Sequence, residues 1–275
     1  PPRSTLFPYT TLFRSLFLAL AALLLLAAQA LAQDLKPRAW GDFDQYVLAL
    51  TWQPGFCRDM QEAGRGLPVE CEDPAALRDP ADNLTLHGLW PSQPRSIRPQ
   101  LEERDWNGMG CAYLLGDNDL NDGDKCDPRY SLRPDTRQDL ARVMPGANES
   151  TCLEHYEFAK HGVCFNFDPD AYFLTAARLN REVKASALGK FLRGHAGAKV
   201  RLTDFRAALE AAYGKTAARE ADILCAGRGN ASFVEIRLPI LRDRVNAPLS
   251  ASSFGRSTSR NTKKQCGASF LLPAH

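Results

Sequence analysis

Apolar and polar positions alternate in three short runs of this chain and recur at helical spacing in three longer ones. Phe43–Trp52 (FDQYVLALTW) alternates and predicts a first strand. Asn83–Trp90 (NLTLHGLW) predicts a second, with Leu84 and Leu86 on one face and Thr85 and His87 on the other. That alternation turns His87 away from the core, and Pro91, which has no N–H for the ladder, ends the strand. Phe233–Ile240 (FVEIRLPI) predicts a third strand. Helical spacing covers Pro134–Val143 and Asp170–Ser186, where Tyr172, Ala176, Leu179 and Val183 form one stripe. It returns over Thr203–Tyr213, with Thr203 as N-cap and Gly214 as the stop. Pro94–Pro128 is rich in Gly, Asn, Asp and Arg and predicts a long, disulfide-tied surface loop. Ser250–Lys264 predicts a second loop, closed by Cys266. No repeat, linker or second domain shows. The mixture predicts one α+β domain, helices packed on a central antiparallel sheet.

The N-terminal residues stand apart from this pattern. Pro1–Ser15 reads as an artefactual leader, and Leu16–Leu26 (LFLALAALLLL) follows a single cation, Arg14. The apolar stretch ends in Ala30-Leu31-Ala32, a small-x-small cleavage site, and is too short for a membrane span. Residues 1–32 are therefore expected to be leader plus signal peptide, cut after Ala32, and residues 33–275 the functional domain. Without Arg3 and Arg14 the 34 basic residues become 32 and match the 32 acidic ones. A global basic field is thereby excluded as a means of holding nucleic acid, and any cationic surface must be local. All eight cysteines lie beyond the signal segment, at 57, 71, 111, 126, 152, 164, 225 and 266. With a signal peptide they imply an oxidising compartment and up to four disulfides, a periplasmic or secreted protein with no stable membrane association after cleavage. Counting leaves the connectivity open.

Two strings carry the chemistry, HGLWP at His87–Pro91 and EFAKHGVC at Glu157–Cys164. Glu157, Lys160 and His161 stand at i, i+3 and i+4, so on a helix they share one face and can converge on one phosphate. Gly162 ends that helix and leaves His161 in its last turn. A helix C-terminus and a nearby carboxylate both favour imidazolium, so the His161 pKa is expected to be raised. Two imidazoles, a carboxylate and an ammonium suit metal-free cleavage of a phosphodiester that carries its own nucleophile, the ribose 2′-hydroxyl of RNA. One histidine removes the 2′-proton, the other protonates the leaving 5′-oxygen, and the lysine meets charge on the phosphorane. No cofactor and no metal is expected: cysteines and histidines show no zinc spacing, and the acidic run Asp117–Asp124 misplaces the glycine of a calcium loop and lacks its closing glutamate.

These residues resemble the ribonuclease T2 family over nearly the whole chain beyond the signal segment. LTLHGLWP and YEFAKHGVC are similar to its two catalytic segments, and YVLALTW, the CDP at Cys126–Pro128 and a late cysteine pair agree as well. The second half, with KHGVCFNFDPDAYF and NAPLSASSF, looks most like the bacterial periplasmic branch, whose members are broad in the bases they cut. The resemblance implies an endoribonuclease acting on single-stranded RNA and not DNA, as a monomer, through a 2′,3′-cyclic phosphate to a 3′-phosphate. It implies His161 as general base, His87 as general acid, Glu157 and Lys160 as phosphate and transition-state groups, and Trp90 as the aromatic that stacks on the base 5′ to the cut.

Two departures stand out. Tyr156 takes the place of a histidine that often precedes the glutamate, and its hydroxyl can still donate to phosphate; His155 lies one residue earlier, about 100° round the helix. Ser92 replaces an aspartate that helps some relatives read the base. The resemblance of the CDP and HGVC contexts to a family bridge implies Cys126–Cys164; Cys57–Cys71 joins near neighbours, Cys225–Cys266 the late pair, and Cys111–Cys152 completes the set. Lys263, Lys264, Arg256 and Arg260 are expected to form a solvated loop face. A catalytically silent RNA-binding or defence relative is the alternative function; it would have lost His87, His161 or Glu157. A phosphoesterase with paired H-x-Thr/Ser motifs is excluded, since Gly-Leu and Gly-Val follow the two histidines.

Overall fold

The computed structural model describes residues 34–72, 83–116, 126, 130–258 and 261–274; the expected leader, signal peptide and acidic run lie outside them. Strands are β1 (Gln45–Trp52), β2 (Leu84–Pro91), β3 (Lys199–Arg201), β4 (Asp222–Ala226), β5 (Ser232–Leu241) and β6 (Ser269–Leu271). Helices are α1 (Gln53–Glu62), α2 (Glu103–Met109), α3 (Cys111–Leu115), α4 (Pro134–Ala141), α5 (Leu153–His161), α6 (Pro169–Ala185), α7 (Ala187–Gly194) and α8 (Leu202–Glu220). The sheet runs β2-β1-β5-β6-β3 with β4 also paired to β5. Every pairing is antiparallel except one parallel contact between Ser232 and Leu271. The fold is α+β, as the hydrophobic pattern implies.

β1 lies inside the sheet, and Tyr46, Leu48, Ala49, Leu50 and Trp52 are all buried, which explains its near-continuous apolar run. Pro91 does not end β2 early but pairs with Tyr46, because β2 is an edge strand with one side free of ladder bonds. Gly214 breaks helical geometry at φ 80° where a stop is expected, yet the chain resumes its helix to Glu220. Thr203 is not the cap; Arg201 holds that position without a side-chain bond. The expected surface loop after Pro94 contains α2 and α3, because Trp106, Cys111 and Ala112 supply buried anchors. Among the described residues no helix is long and apolar enough to cross a membrane.

β2 carries the irregularity on which the site depends. Ala49 of β1 pairs with Gly88 and Leu50 with Leu86, so His87 is the extra residue of a β-bulge. Beyond it the alternation changes phase: Leu89 is buried and Trp90 lines the same cleft as His87. α6 holds the bulged strand on both sides, Tyr172 Oη donating to Leu89 O (2.6 Å) and Asn180 Nδ2 to Leu84 O (3.0 Å).

The disulfides are Cys57–Cys71, Cys111–Cys164, Cys126–Cys152 and Cys225–Cys266. The first and last are as expected; the middle four cysteines exchange partners, so Cys126–Cys164 and Cys111–Cys152 are overturned. The reason is α5: nine residues span about 13 Å, which puts Cys152 and Cys164 at opposite ends of one rod. The start of α3 lies at the far end, Cα–Cα 5.2 Å from Cys164, and Cys126 lies 5.2 Å from Cys152 at the near end. A disulfide thus flanks α5 at each terminus.

Candidate active site

α5 and the bulged β2 face each other across a cleft of about 550 Å³. α5 brings Tyr156, Glu157, Lys160 and His161 to it, and β2 brings His87 and Trp90. All six residues singled out in the sequence therefore meet in one cavity. Gly88 permits the approach, since a Cβ there would overlap Glu157 Oε2 and Trp90 Nε1. Gly162 caps α5 as expected.

Glu157 is only 2 % exposed, yet both oxygens face polar atoms. Oε2 accepts from Trp90 Nε1 at 2.5 Å, and Oε1 lies 3.5 Å from His87 Nε2. Burial pushes its carboxyl pKa up, against the pull of His87, the Trp90 N–H and Lys160. Lys160 Nζ sits 5.6 Å from the centre of the Tyr156 ring. The Trp90 indole stacks on His161 (centroids 5.3 Å, 27°) and meets His87 edge-on (5.1 Å, 85°).

The two imidazoles occupy opposite environments. His161 is 8 % exposed, and its buried Nδ1 has no hydrogen-bond partner. Burial, then Lys160, His87 and Arg237, push its pKa well below the usual histidine value. The expected upward shift is overturned: Glu157 turns its oxygens to Trp90 and His87, so desolvation and cations prevail over the helix end. His87 keeps 30 % of its side chain open to the cleft. Burial lowers its pKa, but Glu235 and Glu157 outweigh this and the net shift is upward.

Glu235 and Arg237 are the site residues that sequence reasoning missed. They stand on β5, and Glu235 Oε2 lies 2.7 Å from His87 Nδ1. The visible signal was two charges, two apart, inside the strand FVEIRLPI. Ser92 faces the cleft, but its hydroxyl accepts from the backbone N–H groups of Asp44 and Gln45 (3.2 and 3.3 Å), which gives it a structural task. Lys263 also lines the cleft while remaining exposed, as Lys264 and Arg256 are, in keeping with a solvated loop face; Arg260 lies outside the described residues.

Two histidines, a buried carboxylate and a lysine thus face one cleft of a mixed sheet-and-helix fold. A model of the Ribonuclease T2 family matches residues 43–250, and the chain belongs to that family as an endoribonuclease. It is 42 % identical over 258 residues to Ribonuclease I of Escherichia coli strain K12, covering 92 % of this chain and 94 % of that one. Ribonuclease S-3 of Petunia hybrida is 29 % identical over 140 residues, half of each chain. The crystal structure of Japanese pear S3-RNase superposes with a TM-score of 0.51 at 16 % identity, covering 83 % of this chain and 99 % of that chain, a likeness of fold.

Proposed function

We propose that the protein cleaves single-stranded RNA by metal-independent transesterification, through a 2′,3′-cyclic phosphate to 3′-phosphate ends, with low base specificity. The observation that carries this reading is the convergence of His87, Glu157, Lys160 and His161 on one cleft, with the two imidazoles in opposite surroundings that shift their pKa values apart. A base must be unprotonated and an acid protonated at the same pH, and pairs whose environments push their values apart reveal which is which. His161, held neutral, takes the proton of the 2′-hydroxyl as its oxygen attacks the adjacent phosphorus. His87, held protonated, gives its proton to the departing 5′-oxygen. Lys160 and the Glu157 carboxyl face the phosphate and meet the phosphorane's charge, and the Tyr156 hydroxyl donates to a phosphate oxygen. Hydrolysis of the cyclic ester reverses the roles, with water in place of the leaving oxygen.

The base 5′ to the cut rests on Trp90, and a ring face accepts any base. Selectivity needs bonds to base edges, and the Ser92 hydroxyl spends its two acceptor positions on backbone N–H groups, so it lacks the acceptor an aspartate would offer, which supports broad specificity. DNA lacks the nucleophile and is left intact. We place residues 33–275 as the active monomeric domain, exported to an oxidising periplasmic or extracellular space by the segment ending at Ala32; four disulfides support that compartment. The test is digestion of mixed-sequence RNA by the purified protein in excess chelator, with product ends identified. Cyclic and then 3′-phosphate ends are expected. Products with 5′-phosphate and 3′-hydroxyl ends, or activity that vanishes with chelator, would overturn the reading.

A further inference from the structure

Glu235 and Arg237 stand two apart on β5, opposite Thr51 and Ala49 of β1, so both side chains leave the same face of the sheet. Glu235 is 8 % exposed and divides its oxygens between two partners. Oε2 meets His87 Nδ1 at 2.7 Å, and Oε1 accepts from Arg237 Nε at 2.5 Å. Arg237 then lays its guanidinium over the Trp90 ring, 4.8 Å from the ring centre. An unbroken line of contacts, Trp90–Arg237–Glu235–His87, runs behind the reacting groups. A carboxylate buried to this degree needs both oxygens paired to stay ionised, because an unpaired buried charge is costly.

We propose that Glu235 and Arg237 are a positioning pair for His87: the carboxylate grips Nδ1 so that Nε2 is the atom that carries the proton, and Arg237 pins that carboxylate to the Trp90 platform. The ring has two nitrogens, and only one can serve the leaving oxygen. With Nδ1–H committed to Glu235, the proton that leaves must come from Nε2, the nitrogen on the Glu157 side. Arg237 acts in the opposite sense. Burial would raise the Glu235 pKa, but His87 and then Arg237 pull it down to about 2, and the charge of Arg237 weakens proton binding at His87. Glu235 alone would make the acid reluctant to give up its proton. Other charged or titratable groups among the described residues lining the two cavities that His87 borders include Glu157, Lys160 and His161 from α5 on one side, and Asp59, Arg65, Glu70 and Lys264 on the other.

This inference rests on His87 being the general acid, and the experiment separates the two ideas. Wild type, His87→Ala, Glu235→Gln and Arg237→Gln are compared on an RNA dinucleotide and on a nucleoside 3′-(4-nitrophenyl phosphate). The nitrophenolate leaves without a proton, so an acid is needed only for the dinucleotide. On the dinucleotide Glu235→Gln should lower kcat roughly tenfold or more near neutral pH, a share of what a general acid supplies. KM should change little, and the loss should shrink as pH falls. The alkaline limb of the kcat profile should move to lower pH in Glu235→Gln and to higher pH in Arg237→Gln. On the nitrophenyl ester His87→Ala and Glu235→Gln should both approach wild type. If the ester rescues His87→Ala but not Glu235→Gln, or if the alkaline limb stays where it is, Glu235 only supports the fold and the proposal fails. If the ester does not rescue His87→Ala, the acid assignment fails and the proposal falls with it. Should Glu235→Gln not fold, Arg237→Gln decides alone: a limb that does not move upward overturns the pairing.

Discussion

The opposite pKa shifts of the two histidines in one cleft follow from what surrounds each ring. His161 Nδ1 has no hydrogen-bond partner among the described residues and the charges acting on the ring are cationic, whereas His87 lies between two carboxylates. His161→Ala and His87→Ala are each expected to lower kcat/KM by at least about 100-fold, and Glu157→Gln and Lys160→Ala by less. Near-full turnover in either histidine variant would remove that residue from the reaction. Trp90 has a double task that one substitution separates. Trp90→Phe keeps a ring face for the base and deletes the N–H that the buried Glu157 accepts. Losing a hydrogen bond to a charged group costs about 1.5–3 kcal/mol, roughly ten- to hundredfold in rate. Steady-state kinetics should show that loss in kcat with KM nearly held; a change confined to KM would make Trp90 a base platform alone. Tyr156→Phe should cost about 0.5–1.5 kcal/mol in phosphate binding.

At the scale of elements, α5 and the bulge in β2 make the site. The i, i+3, i+4 spacing of Glu157, Lys160 and His161 was legible in the sequence because a helix repeats regularly and Gly162 marks its end. The bulge was not legible. Strict alternation from Leu84 puts His87 and Trp90 on opposite faces, and only the pairing with β1 reveals the inserted residue that brings them together. Glu235 and Arg237 escaped notice for a related reason: their meaning comes from a strand far off in sequence, two rows across the sheet. The crossed disulfides failed on helix length, which a resemblance of short contexts ignores. α2 and α3 were hidden in a polar stretch without a clear apolar stripe: Trp106 and Ala112 are buried, but Met109 and Leu115 are exposed. Gly88→Ala tests the tight seam between the two elements. The new methyl must displace Glu157 or Trp90, so turnover should fall at least about tenfold, the effect of roughly 1.4 kcal/mol in the barrier, while circular dichroism stays native. Full activity would mean that the seam has slack. Peptide mapping without reductant should recover Cys111–Cys164 and Cys126–Cys152. Replacing Cys111 and Cys164 together by serine should cost about 2–4 kcal/mol of stability in denaturant titration.

For the molecule as a whole, local electrostatics must do what net charge cannot. Acidic and basic residues balance beyond residue 32, so attraction for a polyanion must be local, and the cleft offers Lys160, Arg237 and Lys263 for it. The pH–rate profile should reflect the same arrangement. Rate is lost on the acid side when His161 takes a proton and on the alkaline side when His87 gives one up. The His161 pKa is lowered and the His87 pKa raised, so the bell should be wider than two ordinary histidines would give. A narrow bell would contradict the environments described. The central claim is that the substrate supplies the nucleophile and two histidines move the protons, and a DNA strand carrying a single ribonucleotide tests it most directly. In excess chelator the account requires one cut, on the 3′ side of that ribonucleotide, leaving a 2′,3′-cyclic phosphate; cutting at deoxynucleotide positions, or none until a metal is restored, would contradict it.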